Sequence, residues 1–314
     1  MQVDRDANAK IEGHPAVTVG VVTYPARADA FAKLLHFLAN CAEQYPAPVS
    51  LRIGNNGGPG AGSEAVKRIV LDSKIANMVD WQVLDSPDNN IAVGRNLVID
   101  STSTRYLAFI DDDEYPQQQW LAALVRGLKE FGCNVVAGPI IPVFEPGTPS
   151  WVQTLDLHNS KGKTTGDYLG IVSSGNFLID LDKAKGFRFD PRYGKSGGSD
   201  TELFMRMGAE GCTIRWVADA IVDEDVPLKR SSSRYMIKRY TTQGATYRKI
   251  LMERSKGRLT SLRFGISSLR KLLLAALIAP PLVVIGHPRA GHWVKTACFN
   301  FGIVFRLSGT PLYR

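Results

Sequence analysis

Four cysteines in 314 residues, at positions 41, 133, 212 and 298, stand apart with no C-x-x-C pair. That scarcity argues against a disulfide framework or a zinc knuckle and suits a reducing cytoplasm. The first fifteen residues lack an apolar run, so no secretory leader is expected. The five histidines show no ligand spacing, which leaves a histidine-based metal centre without support. "GKS" at 194–196 lacks the upstream glycine of a phosphate-binding P-loop. No apolar run reaches the roughly twenty residues of a straight membrane span. The longest, Leu272 to Gly286, is interrupted by Pro280-Pro281. Acid is nearly missing from the last part of the chain: from Lys229 onward seventeen Lys/Arg face one acid, Glu253. The whole chain carries +8, so the preceding 228 residues carry a net −8, and the two regions are expected to do different work.

What is present suits a folded enzyme. Apolar residues make up 44% of the chain and charged ones 22%, enough for one large or two modest domains with a core. "VTVGVV" (17–22) precedes Phe31, Leu34, Leu35, Leu38 and Cys41 at helical spacing. "VSLRI" (49–53) precedes a glycine-rich loop and "SEAVKRIVLDS". "WQVL" (81–84) precedes a helix near 92–102, and "YLAFI" (106–110) precedes "QQQWLAALVRGLKEF". Four strand–helix units in succession predict an α/β fold with a mostly parallel sheet covered by helices. Ligands of such sheets bind beyond the carboxyl ends of the strands. The polar motifs of this chain fall there: Thr23-Tyr24, Asn55-Asn56-Gly57, Asn89 to Asn96 and Asp111 to Asp113.

"FIDDDEYP" (109–116) places four acids directly after a buried-looking strand. Alternation along a strand would turn Asp111 and Asp113 one way and Asp112 the other. Two converging carboxylates are unfavourable unless a cation joins them, and a hard ion such as Mg²⁺ or Mn²⁺ prefers oxygen ligands of this kind. A solvated acidic loop is the alternative.

In order and spacing these motifs resemble the inverting glycosyltransferases of family 2, which have the GT-A fold and include bacterial enzymes of exopolysaccharide and lipopolysaccharide assembly. The resemblance covers residues 16–255: "VTVGVVTYPAR", "IGNNGG", "NIAVGRN", "FIDDDEYPQQQWL", "SSGNFLI" and "GGSDTELFMRM". It implies that a nucleotide-sugar donor, with UDP the expected nucleotide, lies across Thr23, Tyr24, Arg27, Asn55 and Asp85. Asp111 would then reach the ribose or the metal, Asp113 would bind the metal, and Asp112 and Arg95 would serve the same nucleotide site. Family members usually carry Asp where Asn55 stands. Asn55 is therefore expected to accept a hydrogen bond from the base without charge assistance.

The family places a general base where this chain has Asp200, opposite the leaving diphosphate. Ser199-x-x-Glu202 is also a capping box, and an acid in a first helical turn is stabilised by the helix dipole whatever its chemistry. Within "ADAIVDEDVP", Glu224 aligns best with a further metal or diphosphate contact.

These readings divide the chain into a polar tail (1–15), a GT-A catalytic domain (16–228) and a basic helical region (229–314). In the last, Arg254, Lys256, Arg258, Arg263, Arg270 and Lys271 precede the apolar stretch, and Arg289, Lys295 and Arg306 follow it. The double proline predicts an interfacial hairpin, with a buried helix pair as the alternative. The basic frame predicts attachment to an anionic membrane surface on the cytoplasmic side, where a saccharide or lipid-linked oligosaccharide acceptor would lie. Two other classes compete. "GAGSEA" after a strand could mark a nicotinamide-dependent oxidoreductase. Tyr235, Tyr240 and Tyr247 among basic residues could stack on nucleic acid, but the acidic first 228 residues oppose nucleic-acid binding.

Overall fold

The computed structural model of the chain describes residues 14–254 and 258–305. Most of the expected polar tail and the basic residues Lys256 and Arg306 lie outside the described residues. The chain divides into two compact units, one of residues 1–141, 162–194 and 199–224, the other of 142–161, 195–198 and 225–314.

The first unit is built on strands β1 (Val17–Thr23), β2 (Val49–Asn55), β3 (Asp80–Asp85) and β4 (Tyr106–Ile110). Each is followed by a helix: α1 (Ala28–Gln44), α2 (Ala61–Leu71), α3 (Ile91–Ser101) and α4 (Trp120–Phe131). β5 (Glu114–Pro116) lies between β4 and α4. β6 (Val135–Ala137) and β7 (Ile140–Phe144) follow, and β7 carries the chain into the second unit at α5 (Ser150–Gln153). The chain returns through β8 (Asn176–Asp180), α6 (Ser199–Ala209), β9 (Ile214–Trp216) and β10 (Val222–Val226). The main sheet has the order β3-β2-β1-β4-β8-β6-β9. β1 to β4 are parallel, while β8 is antiparallel to both β4 and β6. The four expected strand–helix units are all present, and β8 makes the sheet mixed at its centre.

Burial on both faces explains the unbroken apolar runs of the central strands. Every residue of β1 is buried, and the core of Val19, Val21, Leu51, Ile53, Ala108 and Ile110 meets Phe31, Leu35 and Trp120 from α1 and α4. On the other face Phe109 stacks on Phe177 with ring centroids 5.2 Å apart, and Phe177 meets Phe204 of α6 edge-on at 5.3 Å. This aromatic column ties the helix that carries Asp200 to the strand that ends in the acidic run.

In the second unit, α7 (Leu228–Ser231), α8 (Ser233–Arg254), α9 (Arg258–Val284) and α10 (Ala290–Phe305) follow one another. α10 packs on both α8 and α9. α8 and α10 cross at van der Waals distance because Gly302 has no side chain: a Cβ there would sit 1.9 Å from the Thr241 carbonyl oxygen. The predicted hairpin at Pro280-Pro281 is not formed, since α9 continues through both prolines to Val284. The two missing N–H donations fall near the end of the helix, where they free the carbonyls of Ala276 and Leu277, both at exposed positions.

Candidate active site

β4 ends at Ile110, and the next three residues leave the strand before β5 begins at Glu114. The alternation expected of Asp111, Asp112 and Asp113 therefore does not hold. Asp112 and Asp113 are held together by the fork of Arg27, at 2.5 Å each, and Asp111 pairs with Arg95 at 3.0 Å. Their accessibility differs accordingly: the Asp111 side chain is 37% exposed, against 2% for Asp112 and 10% for Asp113. Asp112 also accepts a hydrogen bond from Thr23 at 2.8 Å. Thr23 and Asp112 are thus buried supports beneath Arg27, and the nucleotide contacts expected of them are not open to a ligand in this structure.

Glu114 is a further member of the cluster that sequence reasoning left without a role. Its carboxylate accepts from the Asp111 N–H at 3.3 Å, and it pairs in register with Glu224 across β5 and β10. Four acids in a row hinted at Glu114, and the resemblance brought Glu224 to the same site, but only the register of β5 and β10 sets the two opposite each other. Burial pushes the carboxyl of Glu114 well above the ordinary glutamate range, reinforced by Asp111, Glu224 and Asp113. Burial raises Asp111 likewise, against the pull of Arg95. Asp112 is lifted from 3.8 to about 7, by burial above all and against the pull of Arg27. Five carboxylates thus converge at one end of β4 and face two guanidiniums.

Gly175 makes room for this cluster, because a Cβ there would lie 2.1 Å from Glu114 Oε1. Gly175→Ala is expected to cost about 1–3 kcal/mol by overpacking, measured as a lower denaturant midpoint with an unchanged slope.

Arg95 links the cluster to the second acid. It is buried from α3, lies 5.3 Å over the Phe189 ring, and donates towards Ser199 Oγ at 3.5 Å, one residue before Asp200. Asp200 lies in the first turn of α6, half-buried, with one carboxylate oxygen accepting from the Thr201 N–H at 2.7 Å. Glu202 forks onto Arg206 one turn later.

At the far side, Tyr24 is fixed by hydrogen bonds with Asn56 and Asn89. The Asn56 side-chain Oδ1 accepts from the Asn90 N–H at 2.8 Å, and Asn90 caps α3 by accepting from the Ala92 and Val93 N–H groups. This asparagine network was not foreseen, although its members stand together in the "NN" pairs of both loops. Asn55 differs most from expectation. It is fully buried, its oxygen accepts from Gly57, and its amide donates to Gly58 and to the exposed Asp85 at 2.8 Å. Asn55 is therefore placed to hold Asp85, while the predicted base contact is closed to it. Asn55→Asp, although it installs the residue usual in the family, would set two carboxylates against each other. It is expected to weaken nucleotide binding by about tenfold, the equivalent of about 1.4 kcal/mol, as measured by isothermal titration calorimetry.

Among the described residues no three acidic, histidine or cysteine side chains converge in metal-holding geometry. Asp111 is turned to Arg95 and Asp113 to Arg27, and Glu224 stands in register with Glu114.

The family model described as Glycosyl transferase family 2 matches residues 19–190, the stretch that holds β1 to β8 and most of this cluster. The chain belongs to glycosyl transferase family 2. Among curated proteins it is 29% identical over 303 residues to the succinoglycan biosynthesis protein ExoM of Rhizobium meliloti (strain 1021), covering 93% of each chain. Among solved structures it resembles S. aureus TarS 1-349 in complex with UDP, with a TM-score of 0.53, 14% identity, and 91% and 89% of the two chains covered. It also resembles the mannosyltransferase PcManGT from Pyrobaculum calidifontis in complex with GDP-Man and Mn²⁺, with a TM-score of 0.56, 15% identity, and 91% and 73% covered. At these identities the two structures show the GT-A fold of this family 2 glycosyltransferase. Membership displaces the oxidoreductase reading, and "GAGSEA" opens α2 as ordinary helix.

Proposed function

We propose that this family 2 enzyme inverts the sugar it transfers, taking it from a nucleotide-sugar donor, with UDP as nucleotide, to a saccharide acceptor in cell-surface polysaccharide synthesis. The acceptor is read as lipid-linked and the enzyme as working at the cytoplasmic face of the membrane. The observation that carries this reading is the excess of carboxylate over guanidinium at the end of β4. Support comes from ExoM, a succinoglycan biosynthesis protein, and from relatives of the fold seen with UDP, UDP-GlcNAc and GDP-Man.

Asp85, exposed and braced by Asn55, is assigned to the base, and Tyr24 to the nucleoside. Asp200 accepts the proton of the acceptor hydroxyl, whose oxygen then bonds to the anomeric carbon as the bond to the diphosphate breaks. The charge that develops on the leaving diphosphate falls to Arg27 and Arg95, which stand at the cluster. In chemistry, though not in the present side-chain geometry, the donor set suits a divalent cation, since hard carboxylate oxygens outnumber the guanidiniums that neutralise them. Asp111 and Asp113 would hold Mn²⁺ or Mg²⁺, with Glu224 nearby. When bound, that ion supplies charge neutralisation for the diphosphate.

The experiment is a thermal-shift panel of UDP-, GDP- and dTDP-sugars with and without Mn²⁺. Stabilisation by one nucleotide series that requires Mn²⁺ is expected. Indifference to every sugar nucleotide, with a response to a nicotinamide cofactor, would refute the proposal.

A further inference from the structure

α9 presents two opposite faces. Its inner stripe, which includes Ser268, Ala275 and Ala279, is buried, as befits the helix α10 packed beside it. At 3.6 residues per turn, Ile266, Leu269, Leu273, Leu277, Pro280 and Val284 fall on the other side as one continuous apolar stripe. These side chains are exposed, Leu277 at 75% and Val284 at 84%. Arg263 and Arg270, both exposed, border the stripe along one edge. α9 contains no acid in its 27 residues. A long apolar stripe with a basic border matches a lipid surface that offers hydrocarbon beneath anionic headgroups.

By length and composition Arg263–Val284 is able to cross a bilayer, but only 17% of it is buried within the protein. A crossing would bring α10, packed along it, into hydrocarbon, and with it α8, packed on α10. α8 carries Arg234, Lys238, Arg239, Arg248, Lys249 and Arg254, and charges at the bilayer centre are strongly unfavourable. An interfacial helix leaves those charges in water.

We propose that the outward face of α9 lies flat on an anionic bilayer, with Leu273 and Leu277 among the acyl chains and Arg263 and Arg270 at the headgroups. The inference gives the membrane-facing part of the proposed function a defined surface. It does not depend on the donor or the chemistry, so vesicle binding is measured without nucleotide and its failure is distinct from failure of the catalytic reading.

The test is co-sedimentation of the full chain with vesicles of phosphatidylcholine alone or of equal parts phosphatidylcholine and phosphatidylglycerol. Binding to the anionic vesicles, weakened by salt and released by alkaline carbonate, is expected. The double variant Leu273→Glu/Leu277→Glu, at exposed positions, should bind at least about tenfold less with an unchanged melting temperature. Arg263→Gln/Arg270→Gln should lose the preference for anionic lipid. Undiminished binding by the leucine variant, or resistance to carbonate, would overturn the proposal. So would a wild-type dimer that the leucine variant dissolves while neither protein binds vesicles, which would assign the stripe to a second copy of the chain.

Discussion

Asp200→Asn should lower the rate of sugar transfer by about two to four orders of magnitude, the usual contribution of a positioned general base, while nucleotide affinity stays near that of the wild type. The amide keeps the hydrogen bond to the Thr201 N–H and the length of the side chain, so α6 should fold as before. What it removes is the acceptor for the hydroxyl proton. Arg95 sharpens the test, since it reaches both Asp111 and Ser199. Arg95→Lys should lower kcat and weaken nucleotide binding together, because one ammonium cannot reproduce a guanidinium shared between two groups. If Asp200→Asn retained wild-type turnover in a quenched transfer assay, the residue would be only a helix-terminal acid.

The second large effect is on stability. The ligand-free protein should become less stable as pH rises from about 4 to about 7 and level off above. Asp112 releases its proton near 3.8 in the unfolded chain and near 7 in the folded one, so between these values the folded state binds more protons and stability falls with pH. A displacement of this size is worth on the order of 4 kcal/mol. Asp111 and Glu114, also displaced upward by burial, act in the same direction. Asp180 and Asp190 are displaced downward, Asp180 through its Arg105 hydrogen bonds against the opposing effect of burial, Asp190 chiefly through Arg192. Their contribution is lost only as pH falls below the ordinary carboxylate value, outside this window. Asp112→Asn should flatten the profile and raise the melting temperature at pH 8, while weakening the Arg27 fork proposed to serve the nucleotide. Melting temperatures from pH 4 to 8 decide it, and a wild-type profile rising through that window would contradict the argument.

Much of this was legible in the chain because it rests on local periodicity. β1 to β4 and their helices follow from apolar runs and spacing, and the ends of those strands fixed where polar loops would gather. The acidic run stood out because four adjacent acids after a buried strand demand compensation. Less legible was everything that depends on partners distant in sequence. Arg27 and Arg95 choose among three aspartates only once β4 ends at Ile110 and the turn rotates Asp112 and Asp113 together. The facing of Glu114 and Glu224 is a matter of antiparallel register between segments about a hundred residues apart. Asn55 looked like a ligand because of its place in the loop, yet burial turns it into the brace for Asp85. At Pro280-Pro281, local propensity predicted a break, but the prolines fall where few helix bonds remain to be lost.

The central claim is that the carboxylates at the end of β4 bind a divalent cation together with a nucleoside diphosphate. Calorimetric titration of UDP into the wild type and Asp113→Asn, in Mn²⁺ and in EDTA, tests it most directly. Mn²⁺ should tighten UDP binding to the wild type by at least about tenfold, and Asp113→Asn should lose that gain while keeping the affinity seen in EDTA. Equal wild-type affinity in Mn²⁺ and EDTA would contradict it.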